Sequence, residues 1–288
     1  MGGEIVVADP FQRYRGLEIA ADAPSANERA QVTYHIVGDL DLTQTSSVAQ
    51  YAETAHGVID DILRRDRLPI VTGGTGMYLR AALAELAFPG EVDPGLRADV
   101  EGLVTANLSG AIDELRRRDP GEAARIDLRN PRRVSRSLEL ARAGAARPTR
   151  GRLWADTTRH PTTLVGVTRP RATLDALITQ RVRRELADGL VIEIEAALET
   201  PGISRAATQI IGVREVLALQ AGATALSELP ELLAARTRKL ARAQLTWLRK
   251  TSSARELDLG DAVAVDALPR LLAMWDDRET HDSSTLTQ

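Results

Sequence analysis

The first candidate for chemistry is a carboxylate that follows an apolar run. Asp9 ends the segment Glu4 to Asp9, which has the composition of a short buried strand. In open α/β sheets ligands bind beyond the carboxyl ends of the strands, so Asp9 is a candidate general base or metal ligand. Pro10 follows it directly, and the alternative is that Asp9 caps a helix.

A glycine-rich turn is the second candidate. Gly73-Gly74-Thr75-Gly76 follows a predicted strand over 69–72 and precedes a predicted helix over 77–87. Glycines allow the backbone to approach an anion closely, and a helix N-terminus offers unpaired N–H groups. Thr75 adds a hydroxyl group. These residues therefore suit an anion site, although an ordinary tight turn between a strand and a helix has the same composition.

Arginine supplies almost all of the positive charge. The chain has 37 basic residues, and only Lys239 and Lys250 are lysines. Residues 129–184 carry 14 arginines and three acidic residues, and residues 235–250 carry six basic residues and no acid. Since the whole chain has a net charge of −3, these stretches lie on an acidic body. This pattern is typical of a protein that binds a polyanion, and solvated helix faces are the alternative.

Three arginines of the first basic stretch share one face of a predicted helix over 131–143. They are Arg132, Arg133 and Arg136, at separations of one, three and four residues, which suits contacts to phosphates. Arg181 lies on a long helix predicted over 171–199. In the second stretch Trp247 is interleaved with cations, and we expect it in the core rather than stacked on a base.

The composition excludes several kinds of site. The chain has no cysteine, which excludes disulfides, thiolate zinc sites and cysteine nucleophiles. Its four histidines lie too far apart in the sequence for a metal-binding helix. No apolar run approaches the ~20 residues of a membrane span. We expect a cytoplasmic monomer that makes no contact with membranes.

Short strands alternate with helices in both terminal parts of the chain. Strands are predicted over 4–9, 69–72 and 162–167, and the intervening helices favour a parallel α/β sheet. The middle of the chain instead contains three helical stretches. The predicted domains are an α/β core of residues 1–88 and 160–265, a helical insertion of residues 89–159 and a disordered tail of residues 276–288.

Six ordered segments resemble the tRNA dimethylallyltransferase family. In chain order they are Asp9 to Gly16, Gly73 to Tyr78, Asp93 to Arg97, Asn130 to Glu139, Gln209 to Glu215 and Arg242 to Arg249. The Gly73 segment matches the family pattern G-G-T-G-x-Y, for example. The resemblance implies a parallel sheet core like that of P-loop NTPases, with the first strand and P-loop missing, and an insertion that binds tRNA.

The reaction that the resemblance implies is a prenyl transfer. A dimethylallyl group moves from dimethylallyl diphosphate to N6 of the adenosine 3′-adjacent to the anticodon in tRNA. Asp9 matches the general base, Thr75 a hydrogen-bonding group near the reacting centre, and Arg181 a cation at the diphosphate, which Mg²⁺ accompanies. The residues that match contacts to the tRNA anticodon stem-loop are Gln12, Arg97, Arg132, Arg133, Arg136, Gln209, Gly212, Arg214, Arg242, Gln244 and Arg249.

The sequence departs from the family pattern where the diphosphate should bind. No segment matches the P-loop G-P-T-x-x-G-K-[ST], and the family's G-T-A-K is Ala20 to Ala23 here. That loop should supply most of the stabilisation of the leaving group and the hydroxyl that holds Mg²⁺. We therefore expect weak or undetectable transfer by these 288 residues, and an upstream reading frame that encodes about 25 to 35 further residues.

Two alternatives to a tRNA prenyltransferase remain open from the sequence. One is a homologue that binds tRNA but has lost transfer, which the departures favour. The other is an isopentenyltransferase that acts on free adenylate. The basic insertion and the segment Arg242 to Arg249 favour tRNA as the substrate. A missing first strand would also leave an unpaired edge or a cavity beside Glu4 to Asp9.

Overall fold

The structure is a computed structural model that describes residues 2–90, 92–145, 157–262 and 264–282. Two compact units form the chain. One consists of Met1–Glu85 together with Leu153–Gln288, and the other of Leu86–Arg152. No helix in the described ranges has the length and apolar character needed to cross a membrane.

A three-stranded parallel sheet lies in the first unit. Strand β1 (Gly3–Val7) is its central strand, between β2 (Tyr34–His35) and β3 (Leu68–Thr72). Ile5 pairs with Tyr34 on one side and with Ile70 on the other. The expectation of an unpaired edge beside Glu4 to Asp9 is therefore wrong. A two-residue strand such as β2 is too short to produce a periodic sequence signal.

A second, two-stranded parallel sheet pairs β4 (Val165–Thr168) with β5 (Arg255–Asp258). The sequence predicted a strand over 162–167 but none at β5. Three of the four residues of β5 are charged, and only Leu257 is buried, so the segment lacks an apolar pattern. The strands of the described residues thus form two sheets rather than the one sheet that the sequence favoured.

Three helices accompany the first sheet: α1 (Ala26–Gln31), α2 (Val48–Arg64) and α3 (Gly76–Leu83). The amphipathic α2 begins after the capping residue Ser47, whose side chain accepts a hydrogen bond from the backbone N–H of Gln50. Its buried face is formed by residues three or four positions apart, which are Tyr51, Ala52, Ala55, Ile59 and Ile62.

The second unit is helical. It contains α4 (Pro94–Ala106), α5 (Leu108–Arg118), α6 (Pro120–Arg125) and α7 (Pro131–Arg142). Each helix begins after an aspartate or asparagine whose side chain accepts a backbone N–H of the first turn. The helices share a small apolar core that includes Val100, Leu115, Val134 and Leu138.

The remaining helices return to the first unit. They are α8 (Arg171–Ala187), α9 (Leu190–Leu198), α10 (Val213–Gln220), α11 (Leu229–Leu248) and α12 (Leu268–Asp282). The single helix predicted over 171–199 is broken at Gly189, whose φ of +102° is incompatible with a right-handed helix. The break allows α8 and α9 to contribute to one apolar cluster, which includes Val182, Leu190 and Ile194.

Helix α12 extends to Asp282 and so enters the segment 276–288, which the sequence analysis took as a disordered tail. The disordered tail stays a prediction. Residues 283–288 lie outside the described residues.

Candidate active site and tRNA-binding residues

The first two candidate residues meet at the carboxyl edge of the three-stranded sheet. Because β1 and β3 are parallel and Val7 pairs with Thr72, the segments that follow them leave the sheet side by side. The hydroxyl of Thr75 donates to Asp9 Oδ2 over 3.4 Å. The structure thus brings together the carboxylate and the glycine-rich turn, 66 residues apart in the sequence.

Gly73 is the residue that permits this approach. A Cβ atom at position 73 would lie 2.3 Å from the carbonyl oxygen of Ala8, a backbone atom that cannot move aside. The N–H of Ala8 donates to the carbonyl of Thr72 over 2.7 Å, so the segments that follow β1 and β3 remain paired up to the turn. A side chain at position 73 would therefore separate Thr75 from Asp9.

Asp9 closes a turn and does not cap a helix. Its Oδ1 accepts the backbone N–H of Phe11 at 2.8 Å and that of Gln12 at 3.4 Å, and no helix follows. Burial raises the pKa of the Asp9 carboxyl, although these N–H groups, the Thr75 hydroxyl and the charge of Arg181 lower it. A partly buried carboxylate with a raised pKa is suited to accept a proton.

Arg181 reaches the site from α8. Its charge is close enough to Asp9 to lower the pKa of that carboxyl. Its Nη1 lies 3.0 Å from Asp22 Oδ2, and its Nε lies 2.6 Å from Glu185 Oε1. The structure therefore places the predicted diphosphate cation between two carboxylates, where its charge still acts on the predicted base.

The end of α11 packs on the glycine-rich turn. A Cβ on Gly74 would lie 2.0 Å from Nε2 of Gln244, and one on Gly76 would lie 2.0 Å from the ring of Trp247. Trp247 is partly buried in this contact, while Arg242 and Arg249 are exposed. The glycines of this turn thus accommodate the predicted tRNA-binding segment as well as the neighbouring strand.

Gln12 holds a loop of the site. Its side-chain amide donates to the carbonyl of Asp22 over 2.9 Å and to that of Ala21 over 3.4 Å. The turn after Asp9 is thereby connected to the loop that carries Asp22, the partner of Arg181. This contact is an observed role in addition to the predicted contact of Gln12 with tRNA.

Gly212 is buried, and its predicted contact with tRNA stays a prediction. Its φ is +110°, and a Cβ there would lie 2.7 Å from Cδ1 of Ile194. Its N–H donates to Oε2 of the buried Glu215, which also pairs with Arg236 at 2.9 Å. Gly212 thus shapes the turn, and the exposed side chains beside it are those of Gln209 and Arg214.

The predicted tRNA-binding arginines of the second unit differ in their surroundings. Arg132 and Arg133 are exposed at the start of α7. Arg136 Nη1 lies 3.0 Å from Glu139 Oε2, and Arg97 Nε lies 3.8 Å from the same oxygen. Since Glu139 is buried, Arg97 and Arg136 neutralise a structural carboxylate in addition to any role toward RNA.

Two tyrosines near Asp9 escaped the sequence analysis as site residues. The rings of Tyr51 and Tyr78 have centroids 4.6 Å apart, and the Tyr51 hydroxyl donates to the carbonyl of Val7 over 3.1 Å. Tyr78 also lines a cavity of about 50 Å³ beside Pro10 and Phe11. Tyr78 lies in one of the six segments that resemble the family. Its place in that segment could have identified it as a site residue.

The described residues contain no group of three or more histidine, aspartate or glutamate side chains arranged to hold a metal ion. The oxygens of Asp9 and Thr75 could contribute one or two ligands to Mg²⁺. Mg²⁺ commonly takes one or two protein ligands together with substrate phosphates and water. The donor set fits an ion that arrives with a diphosphate.

Comparison with known proteins decides the family. The sequence profile of the IPP transferase family matches residues 12–251. The chain belongs to this family. A tRNA dimethylallyltransferase of Kineococcus radiotolerans is 39% identical over 251 residues, which cover 86% of this chain and 78% of that protein. One of Salinispora tropica is 37% identical over 272 residues, which cover 93% of this chain and 84% of that protein.

Solved structures agree with this assignment. The full-length tRNA isopentenylpyrophosphate transferase of Bacillus halodurans aligns with a TM-score of 0.71 and 27% identity, over 99% of this chain and 91% of that one. A eukaryotic dimethylallyltransferase acting on tRNA aligns with a TM-score of 0.78 over 97% of this chain and 73% of that one, and at 22% identity it shows the fold alone. The expectations of a P-loop NTPase-like fold and a prenyltransferase family are confirmed.

Proposed function

We propose that the chain transfers a dimethylallyl group from dimethylallyl diphosphate to N6 of the adenosine 3′-adjacent to the anticodon in tRNA. The observation that carries the proposal is the pair of Asp9 and Thr75, 3.4 Å apart at the sheet edge with Arg181 nearby, in a member of the IPP transferase family. Relatives at 37% to 39% identity bear the name tRNA dimethylallyltransferase, which supports the same substrates.

Asp9 is the base in the proposed reaction. The adenine N6 amine is a weak nucleophile because its lone pair is delocalised into the ring. As N6 bonds to C1 of the dimethylallyl group, the C1–O bond to diphosphate breaks, and Asp9 accepts the proton that N6 loses. Burial raises the pKa of Asp9 and so makes its carboxylate a stronger base. Thr75 donates to Oδ2 and so orients the carboxylate.

Arg181 is the cation that the described residues offer to the diphosphate leaving group. Its N–H groups can donate to phosphate oxygens as negative charge develops there. Mg²⁺ bound with the diphosphate supplies further neutralisation of that charge.

The proposed tRNA contacts fall on separate parts of the chain. In the first unit they are Gln12, Gln209, Gly212, Arg214, Arg242, Gln244 and Arg249. In the helical insertion, for which we propose residues 89–159, they are Arg97, Arg132, Arg133 and Arg136. Exposed arginines hold the RNA backbone mainly by sequence-independent electrostatics. We also propose that the protein acts in the cytoplasm as a monomer.

A single-turnover assay tests the function. Excess protein is mixed with dimethylallyl diphosphate, Mg²⁺ and an anticodon stem-loop that has adenosine 3′ of the anticodon, and the RNA is analysed by mass spectrometry. We expect slow addition of one dimethylallyl group to that adenosine. An excess of enzyme makes a single slow turnover detectable. A stem-loop with guanosine at that position and free adenosine monophosphate are the controls, and modification of the monophosphate instead of the stem-loop would contradict the proposal.

A further inference from the structure

The loop that follows Leu17 places a carboxylate against Arg181, the cation proposed to bind the diphosphate. Asp22 Oδ2 lies 3.0 Å from Arg181 Nη1, and Asp22 Oδ1 lies 3.2 Å from Arg184 Nη2. One carboxylate therefore bridges two arginines of α8. We propose that Asp22 is an internal counter-ion that occupies Arg181 until a diphosphate displaces it, and so sets the affinity for the prenyl donor.

The position of Asp22 is fixed by its backbone. Its φ is +48°, a left-handed conformation that aspartate and asparagine tolerate better than most residues. Gln12 donates to its carbonyl over 2.9 Å. The preceding N–H groups of Ile19 and Ala20 donate to the carboxylate of Glu193 at 2.8 and 2.9 Å. The loop is thus held from several sides, and only the Asp22 side chain needs to move.

The two carboxylates on Arg181 differ in how easily they are displaced. The side chain of Glu185 is 11% exposed, whereas that of Asp22 is 41% exposed and that of Arg181 is 36% exposed. Ion pairs exposed to water are weak. A diphosphate carries more negative charge than one carboxylate and accepts several N–H groups of an arginine. It can therefore replace Asp22 while Glu185 continues to orient the guanidinium.

The inference rests on the proposed function, because it takes Arg181 as a ligand of the diphosphate. It goes beyond that function by naming a residue that weakens donor binding. Asp22 is a positioning residue in this account, since it acts through Arg181 and does not touch the reacting atoms.

Calorimetric titration of the full chain with inorganic pyrophosphate and Mg²⁺ tests the inference. We expect Asp22→Asn to tighten pyrophosphate binding by about three- to fivefold, the range that an exposed ion pair allows. The KM for dimethylallyl diphosphate should fall similarly, with kcat changed less. Asp22→Gly, which adopts the same φ without a carboxylate, should act in the same direction.

Asp61 offers a matched control. It also bridges two arginines on an exposed surface, with Arg64 at 2.8 Å and Arg65 at 3.0 Å. Arg65 in turn pairs with Glu4, near the amino end of β1, so Asp61 lies away from the site. Asp61→Asn changes the net charge equally and should leave pyrophosphate affinity unaltered. An equal gain from both variants would show a general charge effect and would overturn the inference.

A double-mutant cycle separates the two proposals. In an Arg181→Gln background, Asp22→Asn should no longer change pyrophosphate affinity. If the unmodified chain binds pyrophosphate through Arg181 but Asp22→Asn binds it no more tightly, the counter-ion inference fails and the proposed function stands. If pyrophosphate affinity is insensitive to Arg181, the diphosphate role of Arg181 and the inference fail together.

Discussion

The two oxygens of Asp9 have different surroundings, and this difference suits a base. Oδ1 accepts the N–H of Phe11 at 2.8 Å within its own turn, whereas Oδ2 has the long 3.4 Å contact with Thr75. The shorter hydrogen bond fixes the side chain, and the longer one leaves Oδ2 with capacity to accept a proton. The sequence identified both residues, but only the fold shows which oxygen faces Thr75.

Asp9→Asn should separate catalysis from binding. Asparagine keeps an oxygen acceptor for Phe11 but cannot take the proton of N6, so single-turnover transfer should fall by about 100- to 10,000-fold. Affinity for the anticodon stem-loop should be nearly unchanged, since the predicted RNA contacts are mainly arginines. The melting temperature should not fall at neutral pH, because burial disfavours the charge that the variant removes. Full transfer activity in Asp9→Asn would rule Asp9 out as the base.

The pH dependence of transfer should reflect the raised pKa of Asp9. The base must be ionised, so the rate falls as pH drops through that pKa, which lies above the usual range for aspartate. The hydroxyl of Thr75 lowers this pKa, and Thr75→Val should therefore move the acid limb of the rate profile to higher pH. Thr54→Val, on the exposed face of α2, is the control and should leave the profile in place. An acid limb that moves to lower pH in Thr75→Val would mean that the Thr75 hydroxyl does not stabilise the ionised form of Asp9.

Apolar periodicity predicted the presence of the helices more accurately than it predicted where they end or break. The helical pattern of apolar and polar residues over 171–199 continues through Gly189. The break there depends on a left-handed backbone conformation that a glycine permits but does not require. Strands β2 and β5 had no signal, since one has two residues and the other is mostly charged. Their pairing comes from tertiary contacts, which no local pattern encodes.

Local sequence patterns also do not predict which charged side chains are buried. Glu4 is 2% exposed inside a predicted apolar strand, and its partners His35, Arg65 and Arg67 are distant in the sequence. His35 Nε2 lies 2.7 Å from Glu4 Oε2 and so links β1 to β2. Such a carboxylate is tolerated because several cations surround it. The meeting of Asp9 and Thr75, by contrast, follows from their positions after neighbouring parallel strands, whereas Arg181, on α8, was identified only through the resemblance to the family.

A substitution at Gly73 should test how the sheet edge is built. Gly73→Ala forces a Cβ against the carbonyl of Ala8, and we expect a loss of about 1 to 3 kcal/mol in unfolding free energy together with loss of transfer. Gly57→Ala, in the middle of α2 with no atom near its Cβ position, should instead stabilise by about 0.5 to 1 kcal/mol. Chemical denaturation of both variants gives the comparison. Equal stability of the two would show that the approach of Gly73 to Ala8 is not required.

In the molecule as a whole, some arginines of the basic stretches pair with carboxylates of the protein, whereas others are exposed. Arg136 and Arg142 pair with the carboxylates of Glu139 and Glu114, and Arg159 pairs with Asp60. The pairing of Glu114 with Arg142 lowers the pKa of that carboxyl to about 2. Other arginines of these stretches, such as Arg133 and Arg249, have exposed side chains. Net charge along the sequence therefore overstates the positive charge that an RNA can contact.

This distinction determines which arginines should be reversed to test RNA binding. The sequence alone favours changing Arg132, Arg133 and Arg136 together, but Arg136→Glu would place a second acid beside the buried Glu139 and disturb the fold. The double variant Arg132→Glu/Arg133→Glu avoids that problem, because both side chains are exposed. Arg116→Glu/Arg117→Glu, on exposed positions of α5 in the same unit, gives a control with the same change in net charge.

Anticodon stem-loop binding should weaken steeply between about 50 and 200 mM salt, since phosphate contacts release counter-ions. In Arg132→Glu/Arg133→Glu the affinity should fall further, and the slope of log affinity against log salt should decrease by about one for each phosphate that an arginine no longer neutralises. The control pair should keep the slope of the unmodified chain, because its arginines are not among the predicted contacts. Fluorescence anisotropy over a salt series measures both quantities. Equal reductions in the two variants would mean that net charge, and not the start of α7, governs the encounter with RNA.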